Sequence, residues 1–209
     1  MSDLSNIENL IFDLGNVIIN IDLSLTYQAF ARHTGANSEA ILRDFQEKKI
    51  FPRYELGEFS DPEFRDFIRS SFGNSLTDVQ IDTAWNKLLL DIPTDRVKLI
   101  QKLRDKYNLY LLSNTNSIHI KEVNNILHQA TGVSSLELLF DKVYLSYEIN
   151  LAKPGVEIYH YVIQDAGLEA SRSLFLDDNA DNVIGAQKAG LSAVQVTPEY
   201  TILEILAHA

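Results

Sequence analysis

Apolar residues change their spacing twice along this chain. Near the N-terminus, three consecutive apolar residues at positions 10–12 lead directly into Asp13, and such a run fits a strand buried on both faces, as in a parallel sheet. From about residue 21 to residue 90 the apolar positions recur every three or four residues, which predicts about four helices and few strands. From residue 92 onward, short apolar runs alternate with helical patterns.

This alternation predicts repeated strand–helix units and therefore a parallel sheet with helices on both faces. The fold class is accordingly α/β, a Rossmann-like doubly wound core with a helical cap inserted after the first strand. We expect residues 1–19 and 91–209 to form the core and residues 20–90 to form the cap. The predicted core elements are helices over 94–107, 116–130, 154–166 and 180–189, and strands over 109–112, 140–145, 173–176 and 193–196.

The amino-acid composition argues against several classes of protein and partner. The chain has 209 residues and a net charge of −11, so nucleic acid and anionic membranes are poor partners. It has no cysteine, which excludes disulfides and thiolate catalysis. No stretch of consecutive apolar residues approaches the length of a membrane span, and the first residues are polar and acidic, unlike a secretion signal. These features predict a cytoplasmic globular protein, while the oligomeric state is not predictable from them.

Polar side chains follow four of the predicted core strands. The first strand ends at Asp13, the second leads into Ser113 and Asn114, the third is followed by Lys153, and the fourth leads into the pair at positions 177–178. Because the carboxyl ends of parallel strands lie along one edge of a sheet, we expect these groups to converge on one crevice.

The residue types at these strand ends suit a phosphate site. Asp13 and Asp178 offer the oxygen ligands that Mg²⁺ prefers. Ser113 and Asn114 can donate hydrogen bonds to phosphoryl oxygens, and Lys153 supplies positive charge next to a helix N-terminus. A carboxylate in such a site can attack the phosphorus and form an aspartyl phosphate.

The same residues resemble the four motifs of the haloacid dehalogenase-like hydrolase superfamily, in the same order. The matching positions are 13–17, Ser113-Asn114, Lys153-Pro154, and Asp177-Asp178 with Asn182. Within that superfamily, segments 12–17, 53–58 and 112–116 are most similar to bacterial sugar-phosphate phosphatases, such as those acting on glucose 1-phosphate.

The resemblance implies a role for each matching residue. Asp13 would be the nucleophile and a metal ligand. Mg²⁺ would also bind the carbonyl of Gly15 and the carboxylate of Asp178, with Asp177 nearby or in a supporting position. Ser113, Asn114 and Lys153 would hold the phosphoryl group.

Gly15 departs from the usual phosphatase pattern, which has a second aspartate two residues after the nucleophile as general acid and base. Such help is worth roughly 10²–10⁴ in rate. Water, a cap residue or a good leaving group could replace it, and Asp22, Asp177 and His119 are open candidates.

We therefore predict a Mg²⁺-dependent phosphatase that hydrolyses a small phosphorylated metabolite, such as a sugar phosphate. Two alternatives remain open at this point. One is a metal-independent 2-haloacid dehalogenase, which also uses an aspartate nucleophile and lacks the second aspartate. The other is a non-catalytic protein that binds phosphorylated metabolites, because Gly15 replaces the acid/base group.

Overall fold

A five-stranded parallel sheet lies at the centre of the computed structural model, which describes residues 4–72, 75–207 and 209. The strands follow the order β3-β2-β1-β4-β5. They are β1 (Asn9–Phe12), β2 (Asn108–Ser113), β3 (Lys142–Leu145), β4 (Ser173–Asp177) and β5 (Ser192–Gln195). The first strand in the sequence is therefore the central strand, with Asn9 opposite Asn108 on one side and Ser173 on the other.

Helices cover both faces of this sheet, because its central strand is apolar on both sides. Leu10 and Phe12 pack toward one face and Ile11 toward the other, and all three are fully buried. The first face is covered by α6 (Thr94–Leu103), α7 (Ser117–Thr131) and α11 (Ile202–Ile205), and the second by α9 (Val156–Asp165) and α10 (Ala180–Lys188). The predicted Rossmann-like α/β fold class is confirmed.

The residues between β1 and α6 form a helical block with its own aromatic core. Its helices are α1 (Leu23–Thr34), α2 (Ser38–Glu47), α3 (Ile50–Glu55), α4 (Asp61–Phe72) and α5 (Asp78–Trp85), followed by a 3₁₀ turn at Asn86–Leu88. Phe30, Phe45, Phe64 and Trp85 are buried at its centre. The block joins the rest of the chain where Ile21 and Leu89 pair in an antiparallel bridge. The predicted cap limits, residues 20 and 90, lie beside this neck.

The prediction of about four cap helices is wrong, because the described residues contain five α-helices there. The missed helix, α3, is only six residues long. Its N-cap residue, Lys49, has a left-handed backbone and forms no side-chain capping hydrogen bond. The usual sequence signal for a helix start is therefore absent.

Several predicted boundaries in the core also shift. Helix α6 ends at Leu103 rather than 107, because the N–H groups of Asp105 and Lys106 donate to carbonyls three residues back, as in a turn, instead of four. Strand β3 begins at Lys142, since Phe140 before it packs its ring against Phe12. The four-residue helices α8 (Ser146–Ile149) and α11 were not predicted.

None of the helices in the described ranges has both the length and the apolar content needed to cross a bilayer.

Candidate active site

The predicted polar groups meet at the carboxyl edge of the sheet. Asp13 directly follows β1, Ser113 is the last residue of β2, and Asp177 is the last residue of β4. Asp13 stays in register with the sheet, because its N–H donates to the Leu176 carbonyl at 2.8 Å. The carboxylate of the central strand is thereby flanked by groups from both neighbouring strands.

Lys153 is the buried centre of this arrangement. Its ammonium donates to Asp13 Oδ1 at 2.6 Å, to Asp177 Oδ2 at 2.7 Å and to the Leu112 carbonyl at 2.9 Å. Only 1% of its side chain is exposed. All three ammonium protons are thus engaged by the protein, and Lys153 fixes the Asp13 carboxylate. Its predicted contact with a phosphoryl group stays a prediction.

Burial dominates the electrostatics of this pair. Burial raises the pKa of Asp13 to about 7, Lys153 opposes that rise, and the Asp177 charge adds to it. Burial alone would lower the pKa of Lys153, but the carboxylates of Asp13 and Asp177 outweigh it and raise that pKa. The lysine therefore stays charged at neutral pH, and Asp13 ionises close to neutrality.

Asp177 and Asp178 have different surroundings although they are adjacent. Asp177 is fully buried, and both of its oxygens accept hydrogen bonds, from Lys153, from the Asn179 N–H and from the Asn182 amide. Asp178 is half-buried and accepts a hydrogen bond from Asn16 Nδ2 at 2.9 Å. Asp177 therefore acts as a support for Lys153, whereas Asp178 keeps free lone pairs.

The site has the donor set of a hard divalent cation. One carboxylate oxygen each from Asp13, Asp177 and Asp178 lie within 4.8 Å of one another. Within the described ranges, no backbone hydrogen bond ends on the Gly15 carbonyl oxygen, which leaves that oxygen available. Oxygen ligands of this kind, few in number and open to water, suit Mg²⁺. The oxygens of Asp13, Gly15 and Asp178 are therefore suitable for the Mg²⁺ that the sequence predicts at these residues.

Ser113 and Asn114 differ in how free their side chains are. Among the residues that the structure describes, the buried Ser113 hydroxyl has only a long contact, 3.5 Å, to the Asn114 carbonyl. The Asn114 amide bonds the Lys153 backbone twice, donating to its carbonyl at 2.9 Å and accepting from its N–H at 3.0 Å. The Ser113 hydroxyl can therefore turn toward a phosphoryl oxygen, while the Asn114 side chain holds the loop that carries Lys153.

The three sequence candidates for the missing acid/base group all have structural duties. Asp22 is exposed and caps α1, accepting from the Ser24 N–H at 2.9 Å. Asp177 is saturated by its hydrogen bonds. His119 is buried between Asn116 and the Trp85 carbonyl, and burial lowers its pKa to about 4.

Two residues in the site were missed by the sequence reasoning. Asn16 has a left-handed backbone, with φ of 54°, and its amide links Asp178 to the Ile21 N–H. The Gly-Asn break after the first strand was its only signal. Glu55, at the end of α3, lines a cavity of about 80 Å³ together with Gly15 and Ser113. Its only signal was its place in the resembling segment 53–58, because its position at the site depends on how the cap meets the core.

Comparison with known proteins decides the family. A family model described as haloacid dehalogenase-like hydrolase matches residues 7–190. The chain belongs to this family. The family prediction made from the four motifs is thereby confirmed, and so is the prediction of a hydrolase.

Characterised and solved relatives cover nearly the whole chain. D-ribitol-5-phosphate phosphatase of Bacteroides thetaiotaomicron is 32% identical over 189 residues, which are 90% of this chain and 91% of that protein. A haloacid dehalogenase family enzyme from Bacteroides thetaiotaomicron, solved with magnesium and inorganic phosphate, is 41% identical with a TM-score of 0.85. That match covers 91% of this chain and 94% of the other. A predicted family hydrolase from Porphyromonas gingivalis is 30% identical with a TM-score of 0.83, and the match covers 91% of each chain.

Proposed function

We propose that this hydrolase removes the phosphate from a small phosphorylated sugar or sugar alcohol, with Asp13 as the nucleophile. The predictions of a phosphatase and of Mg²⁺ as its cofactor are confirmed by the relatives, one named as a phosphatase and another solved with magnesium and phosphate. The observation that carries the proposal is the buried Asp13, which Lys153 fixes beside two further carboxylates at the end of the central strand.

The residues of the site account for the first step. Mg²⁺, bound by Asp13, Asp178 and the Gly15 carbonyl, would supply positive charge that neutralises the phosphoryl oxygens. Lys153 holds one oxygen of Asp13 at 2.6 Å, which orients the other oxygen for attack on phosphorus. The Ser113 hydroxyl is the donor free to bind a phosphoryl oxygen.

The cap provides the second half of the site. Its residues Phe51 and Glu55 close the small cavity above Gly15 and Ser113. That cavity, about 80 Å³, is below the roughly 300–1,000 Å³ of ordinary small-molecule pockets. We infer that a phosphorylated sugar enters this cavity when the cap moves away from the core, and that water leaves as the cap returns.

The donor set argues against a metal-independent dehalogenase. Asp178 is a half-buried carboxylate whose burial raises its pKa and whose side chain partner is a single asparagine. Such a group is an ordinary Mg²⁺ ligand, and it lies where one cation could be shared with Asp13.

The test is phosphate release from a panel of sugar and sugar-alcohol phosphates, including ribitol 5-phosphate, with Mg²⁺ and with a chelator. We expect release that needs Mg²⁺ and that Asp13→Asn abolishes, while the matched Asp105→Asn, an exposed surface position, leaves it unchanged. Undiminished release by Asp13→Asn would refute the mechanism. Chloride release from 2-chloropropionate would favour the dehalogenase, and binding without any release would favour a binding protein.

The expected lack of nucleic-acid and membrane partners stays a prediction, as does the cytoplasmic location.

A further inference from the structure

We propose that Glu55, on the cap, is the general acid and base of this phosphatase and takes the place of the carboxylate missing at Gly15. The proposal rests on the phosphatase function above and names the residue that handles the proton. Glu55 is the last residue of α3, the short helix that faces the carboxyl edge of the sheet.

The residues on either side of Glu55 are tied to the core. The hydroxyl of Tyr54 lies 3.2 Å from Ser117 Oγ at the start of α7, and the Leu56 carbonyl accepts from Asn150 Nδ2 at 2.8 Å. Gly57 packs so closely on α8 that an added Cβ would lie 2.4 Å from the Tyr147 carbonyl oxygen. With the cap seated on the core, as in this structure, Glu55 is therefore held in place by contacts before and after it in the chain.

Glu55 lines the small cavity beside the catalytic carboxylate. This cavity also contains Gly15, Ser113 and Asn114, and the Glu55 carboxylate is close enough to Lys153 and Asp13 for their charges to act on it. An acid/base group must reach the oxygen that joins phosphorus to the sugar, on the side of the phosphoryl group away from the nucleophile. The cap side of the cavity is where that oxygen lies when Asp13 attacks from the core.

The Glu55 carboxylate is not engaged in a structural contact within the described ranges. Across residues 4–72, 75–207 and 209, no hydrogen bond or ion pair engages it, although it is half-buried. Glu58, three residues later, is instead paired with Arg53 at 2.7 Å. A half-buried carboxylate without a partner is unfavourable when ionised, which favours its neutral form or a ligand.

The charges around Glu55 suit a proton donor. Burial raises its pKa to about 8, Lys153 opposes the rise, and Asp13 adds to it. His119, which lines the same cavity, has a pKa lowered to about 4 by burial and is uncharged. The raised pKa of Glu55 favours its protonated form, as a general acid requires.

Glu55 gives up its proton in the first step of the reaction and regains one in the second step. In the first step, Asp13 forms a bond to phosphorus, the bond from phosphorus to the sugar oxygen breaks, and the Glu55 proton moves to that oxygen. In the second step, water attacks the phosphorus, gives its proton to the Glu55 carboxylate, and the bond between Asp13 and phosphorus breaks. Sugar alcohol and inorganic phosphate leave, and Glu55 is protonated again.

The experiment compares Glu55→Gln with the matched control Glu58→Gln on two substrates. Ribitol 5-phosphate has a poor leaving group that needs a proton, whereas p-nitrophenyl phosphate has a leaving group that does not. For Glu55→Gln we expect a fall in kcat of roughly 10²–10⁴ on ribitol 5-phosphate, with little change in KM. With p-nitrophenyl phosphate we expect a burst of about one nitrophenolate per enzyme, followed by slow turnover, because only the attack of water still needs the base.

Three controls keep the outcome decisive. Glu58→Gln is expected to match the unmodified protein on both substrates, and Glu55→Asp is expected to recover part of the lost kcat. Thermal unfolding of Glu55→Gln is expected to match the unmodified protein. Unchanged kcat, a rise in KM alone, or an equal loss of the first-turnover rate on both substrates would overturn the proposal. Absence of phosphate release by the unmodified protein would instead refute the proposed function itself.

Discussion

Replacing Lys153 with methionine tests the electrostatic core of the site. The change keeps an unbranched side chain of similar length but removes three hydrogen bonds, to Asp13, Asp177 and the Leu112 carbonyl. Two buried carboxylates then face each other without a cation. Breaking a buried ion pair from one side costs about 3–5 kcal/mol, a large share of the roughly 5–15 kcal/mol that stabilises an ordinary domain.

The measurement is urea unfolding at pH 7, followed by circular dichroism, with a chelator present so that no metal neutralises the carboxylates. With an m-value of about 2 kcal/mol/M, the loss lowers the midpoint by about 2 M. Lys142→Met is the matched control, because it removes an exposed lysine paired with Asp165 on the surface. Its cost is expected to stay below about 1 kcal/mol.

The pH dependence of the free energy of unfolding provides a second test of this prediction. Burial already raises the pKa of Asp13 to about 7, and removing Lys153 takes away the group that lowers it. Below this pKa the folded protein holds a proton on Asp13 that the unfolded chain releases, so stability increases as pH falls from 7 toward 4. The deficit of Lys153→Met is therefore expected to shrink at pH 5. A loss below 1 kcal/mol at pH 7, or equal losses for both lysine variants, would refute the reasoning.

Three further predictions follow from the same geometry. Because Mg²⁺ must displace the Asp13 proton, the Mg²⁺ affinity measured by calorimetry is expected to rise from pH 5 to 7 and to level off above pH 7. Binding is expected to release protons below pH 7, and an affinity that does not change with pH would contradict this prediction. Asn16→Gly keeps the left-handed backbone but removes the hydrogen bonds to Asp178 and from the Ile21 N–H, so Mg²⁺ affinity is expected to fall about 10–100-fold, with a loss of stability of about 1 kcal/mol. Gly185→Ala places a Cβ 2.4 Å from the Pro154 carbonyl oxygen and is expected to lower the free energy of unfolding by about 1–3 kcal/mol; an unchanged urea midpoint argues against that close packing.

The fold was predictable from the sequence because its strands are continuous apolar runs. β1 and β4 are each buried along their whole length, so the run and the polar residue that ends it mark the strand clearly. The short helices α3 and α8 could not be predicted in the same way. Each is less than two turns long, and neither has a side-chain cap, so both depend on packing with distant residues.

The candidate site was predictable only where strand ends define it. Asp13, Ser113 and Asp178 were placed by the rule that parallel strands end at one edge. Lys153 was expected beside the phosphate, but its ammonium lies between two carboxylates, a pairing that depends on distances across the sheet. Glu55 lies in segment 53–58, which resembles the sugar-phosphate phosphatases, but no spacing in the sequence states that this part of the cap meets Gly15.

The central place of β1 in the sheet has a consequence for how the chain folds during synthesis. Asn9 forms hydrogen bonds with Asn108 and Ser173, which follow it by 99 and 164 positions. Strand β1 therefore cannot pair on both sides until most of the chain has been synthesised. The helices from Leu23 to Trp85 are contiguous, and the Phe, Tyr and Trp residues of their core all precede β2 in the chain. We expect the cap to fold first on the ribosome, while an apolar strand without partners stays exposed. That nascent strand is the part of the molecule with the greatest need of a chaperone.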